Sequence, residues 1–226
     1  MMEILNVQQI TRIYDGDFPV RAVDGISLQV ERGQFLCVAG PSGSGKTTLL
    51  NLLGGLEKPD SGTIVIEGED IGKYNRRQLA ELRLRKIGFV FQELNLIPVL
   101  TAEENIEFPL FLQGIAPAER RRRALKVMEE LELSGLAERK PHQMSGGQQQ
   151  RVAIARAIVA DPALVLADEP TANLDSATSQ NLVTLMKRLN QEKGITFLLA
   201  THDEQILQEA PRVIFLRDGK VIRERR

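Results

Sequence analysis

The chain has 226 residues, 42% of them hydrophobic and 26% charged, with a formal net charge of −1; these are the proportions of a folded α/β domain, not of a disordered or fibrous chain. Such a charge balance gives no global basic field for nucleic acid or an anionic membrane. The single cysteine excludes an intramolecular disulfide, and no apolar run approaches the ~20 residues that span a bilayer.

The start of the chain, Met1 to Asn6, lacks the basic and apolar blocks of a signal peptide, so a membrane role is expected only through a partner. Residues 4–13 and 20–30 are rich in β-branched side chains, and Ile26, Leu28 and Val30 alternate with polar neighbours. They predict two antiparallel strands joined through Asp15-Gly16-Asp17. Glu31-Arg32-Gly33 then turns the chain into an apolar strand, Phe35 to Ala39, which carries Cys37 as a small core residue. A helix from Lys46 to about Gly54, a loop at 58–62, a strand at 63–67 and a charged helix at 75–86 follow, with Leu79 and Leu82 facing inward. Ile87 to Phe91 reads as a buried strand ending at Gln92.

The composition then changes. From Glu93 to about Asp161 there is no long strand signal, and the segment reads as a mostly helical insert with helices near 103–112, 117–133 and 146–160. From Ala163 the rhythm returns, with strands at 163–167, 195–200, 212–217 and 220–224 and helices at 176–192 and 203–209. Strands alternating with helices indicate a largely parallel sheet.

Gly40, Pro41, Ser42, Gly43, Ser44, Gly45, Lys46, Thr47 and Thr48 lie between the strand at 35–39 and the helix that follows. Strand, glycine-rich turn and helix form the setting in which this pattern becomes a phosphate-binding loop. Glycines let backbone N–H groups and the helix N-terminus wrap an anion. Lys46 reaches the β- and γ-phosphates, and the Thr47 hydroxyl is a Mg²⁺ ligand. Leu164 to Ala167 form a buried strand ending in Asp168 and Glu169. Carboxylates are costly inside a parallel sheet, so they belong at its C-terminal edge, where such sheets bind ligands. Asp168 there suits an outer or water-mediated holder of Mg²⁺, and Glu169 is placed to polarise a water in line with the γ-phosphate.

Ser145, Gly146, Gly147 and Gln148 open the helix at 146–160: a good N-cap residue, then two glycines that leave N–H groups open to an anion. One chain thus carries two phosphate-seeking helix starts. A single γ-phosphate is held by both if they come from two copies across a two-fold interface, which predicts ATP-dependent dimerisation. Arg120 to Arg123 spread around a helix and read as a solvated face paired with Glu129, Glu130 and Glu132, not as a nucleic-acid patch.

Taken in order, Tyr14, the loop 40–48, Gln92, Met144-Ser145-Gly146-Gly147-Gln148, the run 164–168 with Glu169, Asn173-Leu174-Asp175 and His202 resemble the nucleotide-binding subunit of an ABC transporter from end to end. The resemblance implies a P-loop NTPase (RecA-like) α/β core with a mostly parallel sheet, an N-terminal antiparallel β subdomain and an inserted α-helical subdomain. It implies one domain over 1–226, with about 1–92 and 163–226 as core and about 93–162 as the helical signature part. Tyr14 would stack on adenine, and Gln92 would sense Mg²⁺ and the γ-phosphate. Glu169 would be the catalytic base and His202 the γ-phosphate sensor. Asp175 would close the dimer, and Ser145 and Gly147 would touch the partner's ATP. By its residues alone, Tyr14 suits packing as well as a base platform, and Gln92 suits an exposed surface. Two positions depart from the pattern: Met144 stands where Leu is usual and Ala172 where Gly is usual. Leu52 to Leu56, Pro59 to Gly62 and Gly88 to Pro98 are most similar to the lipoprotein-release, macrolide-efflux and antimicrobial-peptide-resistance group. That similarity implies a cytoplasmic homodimer working a separate membrane permease from its cytoplasmic face.

Overall fold

The computed structural model describes residues 3–226. Strands β1 (Glu3–Tyr14) and β2 (Val20–Glu31) pair antiparallel around the turn at 15–19, and β4 (Ser61–Ile66) and β5 (Glu69–Asp70) complete a four-stranded sheet of order β2-β1-β4-β5. The second sheet has six strands: β3 (Phe35–Ala39), β6 (Ile87–Val90), β7 (Leu164–Asp168), β8 (Phe197–Thr201), β9 (Arg212–Arg217) and β10 (Lys220–Arg225). Their order is β10-β9-β3-β8-β7-β6, and only β10 runs antiparallel to its neighbour. The α/β fold with one antiparallel and one mostly parallel sheet is as expected. The two-residue β5 and short 3-10 turns at Ile71–Lys73 and Pro141–Gln143 carry too few residues for periodicity to reveal.

The parallel sheet is buried on both faces, and period-2 alternation divides its side chains between two cores. Leu36, Val38, Leu164, Leu166, Leu198 and Ala200 face α1 (Lys46–Leu53) and, beyond it, Leu5, Val7, Val30 and Ile64 of the antiparallel sheet. Phe35, Cys37, Ala39, Val165, Ala167, Phe197 and Leu199 face the opposite way. There they join α5 (Gly146–Ile158) and α6 (Ser176–Lys193), with α3 (Ala102–Leu112) and α4 (Pro117–Glu130) extending the same core. The remaining helices are α2 (Arg76–Lys86) and α7 (Glu204–Glu209). Cys37 is fully buried, and burial pushes its thiol up to about 12.

Helix α4 stops before the expected 133 because Glu132 takes φ 57°, a left-handed turn that ends the helix. The arginine run on α4 is paired as expected, but with other partners. Arg120 meets Glu107 and Arg121 meets Glu103, both on α3, while Arg122 and Arg123 share Glu119. Glu129, Glu130 and Glu132 lie a turn or more further on, where Glu130 meets Lys193 and Glu132 meets Arg151. The side-by-side packing of α3 and α4, invisible to a one-dimensional pattern, makes the difference.

Candidate nucleotide-binding site

Four parallel strands end in register. Ala39 of β3 lies beside Thr201 of β8, Asp168 of β7 beside Ala200, and Val90 of β6 beside Ala167. Whatever follows each strand therefore collects at one sheet edge: the loop 40–45, His202, Glu169 and Gln92. Ligands of open α/β sheets bind at this edge. A cavity of about 410 Å³ opens here, lined by Pro41, Ser42, Gly43, Gly45, Lys46, Thr47, Thr48, Gln92, Glu169, His202 and Ala22. Ala22 carries no chemical signal in the sequence and enters only because β2 crosses beneath the loop.

The loop is held by its own backbone and by neighbours far away in sequence. Ser44 N–H donates to the Pro41 carbonyl (3.2 Å), and Gly219 N–H, in the turn between β9 and β10, donates to the Ser44 carbonyl (3.1 Å). Gly45 sits at φ 100°, and a Cβ there would run into the Ala22 carbonyl oxygen, so two independent constraints demand glycine. No side chain caps the first turn of α1, which leaves its N-terminal partial positive charge facing the cavity. Lys46 is nearly buried, and its Nζ donates to the carbonyls of Gly40 (2.8 Å) and Pro41 (3.1 Å) and lies 3.6 Å from Glu169 Oε1. His202 Nδ1 is 2.9 Å from the same Glu169 oxygen. Glu169 holds its position at φ 46°, an uncommon backbone state for a residue with a side chain, and such strain clusters at functional sites.

Asp168 is half-buried. Desolvation raises its pKa, an effect increased by Glu169 and opposed by the Thr47 hydroxyl and the Lys46 ammonium. Its Oδ1 is buried without a hydrogen-bond partner. An orphaned carboxylate oxygen beside the Thr47 hydroxyl fits a hard cation. Among the described residues there is no cluster of three or more His, Cys, Asp or Glu side chains able to hold a metal alone. Such a cation would therefore take further oxygens from phosphate and water.

Ser145, Gly146, Gly147 and Gln148 are not among the residues lining this cavity. Ser145 caps α5 reciprocally: its Oγ accepts from Gln148 N–H (3.3 Å), and Gln148 Oε1 accepts from Ser145 N–H (3.0 Å). Gly147 also has a packing role, since a Cβ there would meet Thr178 Cγ2 at 2.6 Å. Asp175 caps α6, accepting from Thr178 N–H (3.0 Å) and Thr178 Oγ1 (2.6 Å), and these bonds lower its pKa. Asn173 Nδ2 donates to the Gln92 carbonyl (3.4 Å), tying the segment before α6 to the end of β6. Tyr14, at the end of β1, is 37% exposed and outside the cavity lining, with its hydroxyl 3.5 Å from Thr48 Oγ1. His142 is exposed in the 3-10 turn before Met144.

The profile of the ABC transporter family matches residues 23–172, which include the phosphate loop, Ser145 to Gln148 and Glu169. The chain belongs to the ABC transporter ATP-binding family. It is 44% identical over 222 residues to an uncharacterised ABC transporter ATP-binding protein of Thermotoga maritima, covering 98% of this chain and 94% of that one. A macrolide export ATP-binding/permease protein, MacB of Hyphomonas neptunium, is 46% identical over 220 residues; these cover 97% of this chain but 34% of MacB. An ATP-binding cassette of Methanocaldococcus jannaschii, solved as a dimer in a post-hydrolysis state bound to ADP and Pi, superposes with a TM-score of 0.91 at 42% identity, over 99% of this chain and 98% of that one. This ABC ATPase hydrolyses ATP, and it has the architecture expected of the family's motor subunits.

Proposed function

We propose that the chain works as an ATP-sandwich homodimer on the cytoplasmic face of a membrane, where it drives a separate permease for export, lipoprotein release or peptide resistance. The observation that carries this reading is the separation of two phosphate-seeking helix starts. The cavity at 40–48 is built without Ser145 to Gln148, and these residues lie exposed or half-exposed on another part of the surface. A second copy related by a two-fold axis would supply the missing half of each site. Dimeric relatives of high similarity support the same assembly.

In this reading the backbone of Gly40 to Gly45 and the start of α1 bind the triphosphate, with Lys46 on its β- and γ-phosphates and Ser42, Ser44 and Thr48 as further contacts. Tyr14 carries the adenine. Thr47, Asp168 and Gln92 would hold Mg²⁺, which when bound neutralises charge on the β- and γ-phosphate oxygens. Glu169 polarises the attacking water, and His202, hydrogen-bonded to Glu169, holds that carboxylate in place and contacts the γ-phosphate. Ser145, Gly146, Gly147 and Gln148 of the second copy close over the same γ-phosphate, and Asp175 lies at the seam.

The permease is proposed to dock beside Gln92. A groove of about 470 Å³ there is walled by Leu84, Phe89, Phe91, Ile97, Phe108 and Leu112. Asn95 lines it, and Arg156 of α5 holds the carbonyls of Leu94 and Asn95, both at positive φ, at 2.7 and 2.6 Å. Closure at the γ-phosphate would thus reach the groove through Gln92 and the helical segment of about 93–162. The chain itself has no helix, among the described residues, long and apolar enough to cross a membrane. The similarity to an ATP-binding/permease protein of which it spans about a third supports a partner that supplies the membrane part.

The test is Glu169→Gln in sedimentation. With ATP the variant is expected to run as a dimer and to hydrolyse at least 100-fold more slowly than the wild type, the scale of losing a positioned general base. Wild-type turnover in this variant refutes Glu169 as the base, and a monomer at saturating ATP refutes the sandwich.

A further inference from the structure

We infer that Glu57 is the positioning residue of the adenine platform: it anchors the Tyr14 hydroxyl while Arg12 backs one face of the ring, leaving the other face for the base. This rests on the proposal that Tyr14 carries the adenine. Tyr14 Oη donates to the Glu57 carboxylate, 2.8 Å from Oε2 and 3.0 Å from Oε1. Glu57 is itself held by the last turn of α1, where Asn51 donates from Nδ2 to its Oε1 at 3.0 Å. Arg12 Cζ lies 5.1 Å from the Tyr14 ring centroid, and Arg12 Nε is 3.4 Å from Glu57 Oε2. Arg12 is fixed in turn by Asp60, whose Oδ1 accepts from Nη1 (2.9 Å) and whose Oδ2 accepts from Ile13 N–H (2.6 Å).

The arrangement links the end of β1 to the far end of α1, the helix that begins with Lys46. A half-exposed tyrosine without such an anchor would sample several rotamers and lose that freedom when a base stacked on it. Ordering one side chain in advance is worth about twofold to tenfold in affinity. A cation over one ring face also commits the ring to receive the base on the other. Stacking reads the π-face and not the exocyclic groups, so ATP and GTP gain alike. The phosphates, by contrast, are held by the loop backbone and Lys46, which Glu57 does not touch.

Calorimetric titration separates positioning from bracing when ATP and inorganic tripolyphosphate are compared on the same proteins. Tyr14→Ala is expected to weaken ATP by about tenfold or more, the scale of one base–aromatic stack. Glu57→Ala and Tyr14→Phe are each expected to weaken ATP by about threefold to tenfold. Because both cut one link, the double variant should bind no worse than about twofold below either single variant. Glu57→Gln keeps an acceptor for Tyr14 and should stay within about twofold of the wild type, while tripolyphosphate affinity should move less than about twofold in every variant. If Glu57→Ala weakens tripolyphosphate as much as ATP, Glu57 is a structural brace and the inference is overturned. If Tyr14→Ala weakens ATP and Glu57→Ala does not, the platform stands and the inference fails. If Tyr14→Ala leaves ATP binding unchanged, the platform itself is refuted and the inference with it.

Discussion

Gly45 and Asp168 show what two positions proposed to serve the nucleotide mean for the stability of the fold. At Gly45 a methyl group would collide with the Ala22 carbonyl, and an L-residue would be forced to φ 100°. Gly45→Ala is therefore expected to lose nucleotide binding and to cost about 1–3 kcal/mol of backbone strain. Thermal melts would read that cost as roughly 2–4 °C per kcal/mol for a chain of this size. Asp168 makes the opposite prediction. Its pKa is raised in the fold, chiefly by desolvation, so between its unfolded and folded pKa values the native state binds more protons than the unfolded chain. Stability must then fall as pH rises through that interval, and the cost is complete once the pH is above the folded pKa. Asp168→Asn removes the charge, so its melting temperature at pH 7 should exceed the wild type's, with a smaller gain at pH 4, while Mg²⁺-dependent hydrolysis is lost. A lower melting temperature at pH 7 would contradict this account of the site.

At the scale of elements, the two glycine-bearing helix starts differ in a way that a motif comparison hides. Helix α1 begins without a side-chain cap, whereas α5 begins with a reciprocal cap between Ser145 and Gln148. Ser145 thus combines a structural role with its proposed contact to a partner's phosphate, and two substitutions separate them. Ser145→Ala removes the cap and is expected to cost about 1 kcal/mol. Ser145→Asp keeps an equally good cap and the native melting temperature but sets a negative charge against the phosphate. Both should fail to dimerise with ATP in sedimentation. If Ser145→Asp dimerises normally, the start of α5 does not face the nucleotide.

At the scale of the whole molecule, each composite site of the proposed sandwich would draw Lys46 from one copy and Ser145 from the other, so defects in the two positions should complement. Lys46→Ala and Ser145→Asp are each expected to be inactive alone. In an equal mixture about half of random pairings join unlike copies, and each of these forms one site built wholly from native residues. Hydrolysis should recover towards about one quarter of the wild-type rate if native sites act independently. Recovery on mixing, measured as phosphate release, is a signature that a site completed within one chain cannot produce.

Much of this arrangement was legible in one dimension. The loop 40–48 announces itself because anion binding needs glycines at fixed spacing, and the strands announce themselves through period-2 burial, which divides Leu36 and Val38 from Phe35 and Cys37. Local chemistry of this kind is a property of neighbours in sequence, so the sequence by itself determined the α/β class, the phosphate loop and the two carboxylates that close β7. The tertiary structure alone decided what depends on residues far apart in the chain. Ala22 enters the cavity, and Gly219 braces the loop, only because β2 and the β9–β10 turn pack against it. Arg121 finds Glu103 because α3 lies beside α4. Glu57 reaches Tyr14 because α1 packs beneath the antiparallel sheet and brings its far end to the end of β1. Spacing carries no trace of such pairs, since their proximity is set by how buried faces pack and not by any repeat along the chain.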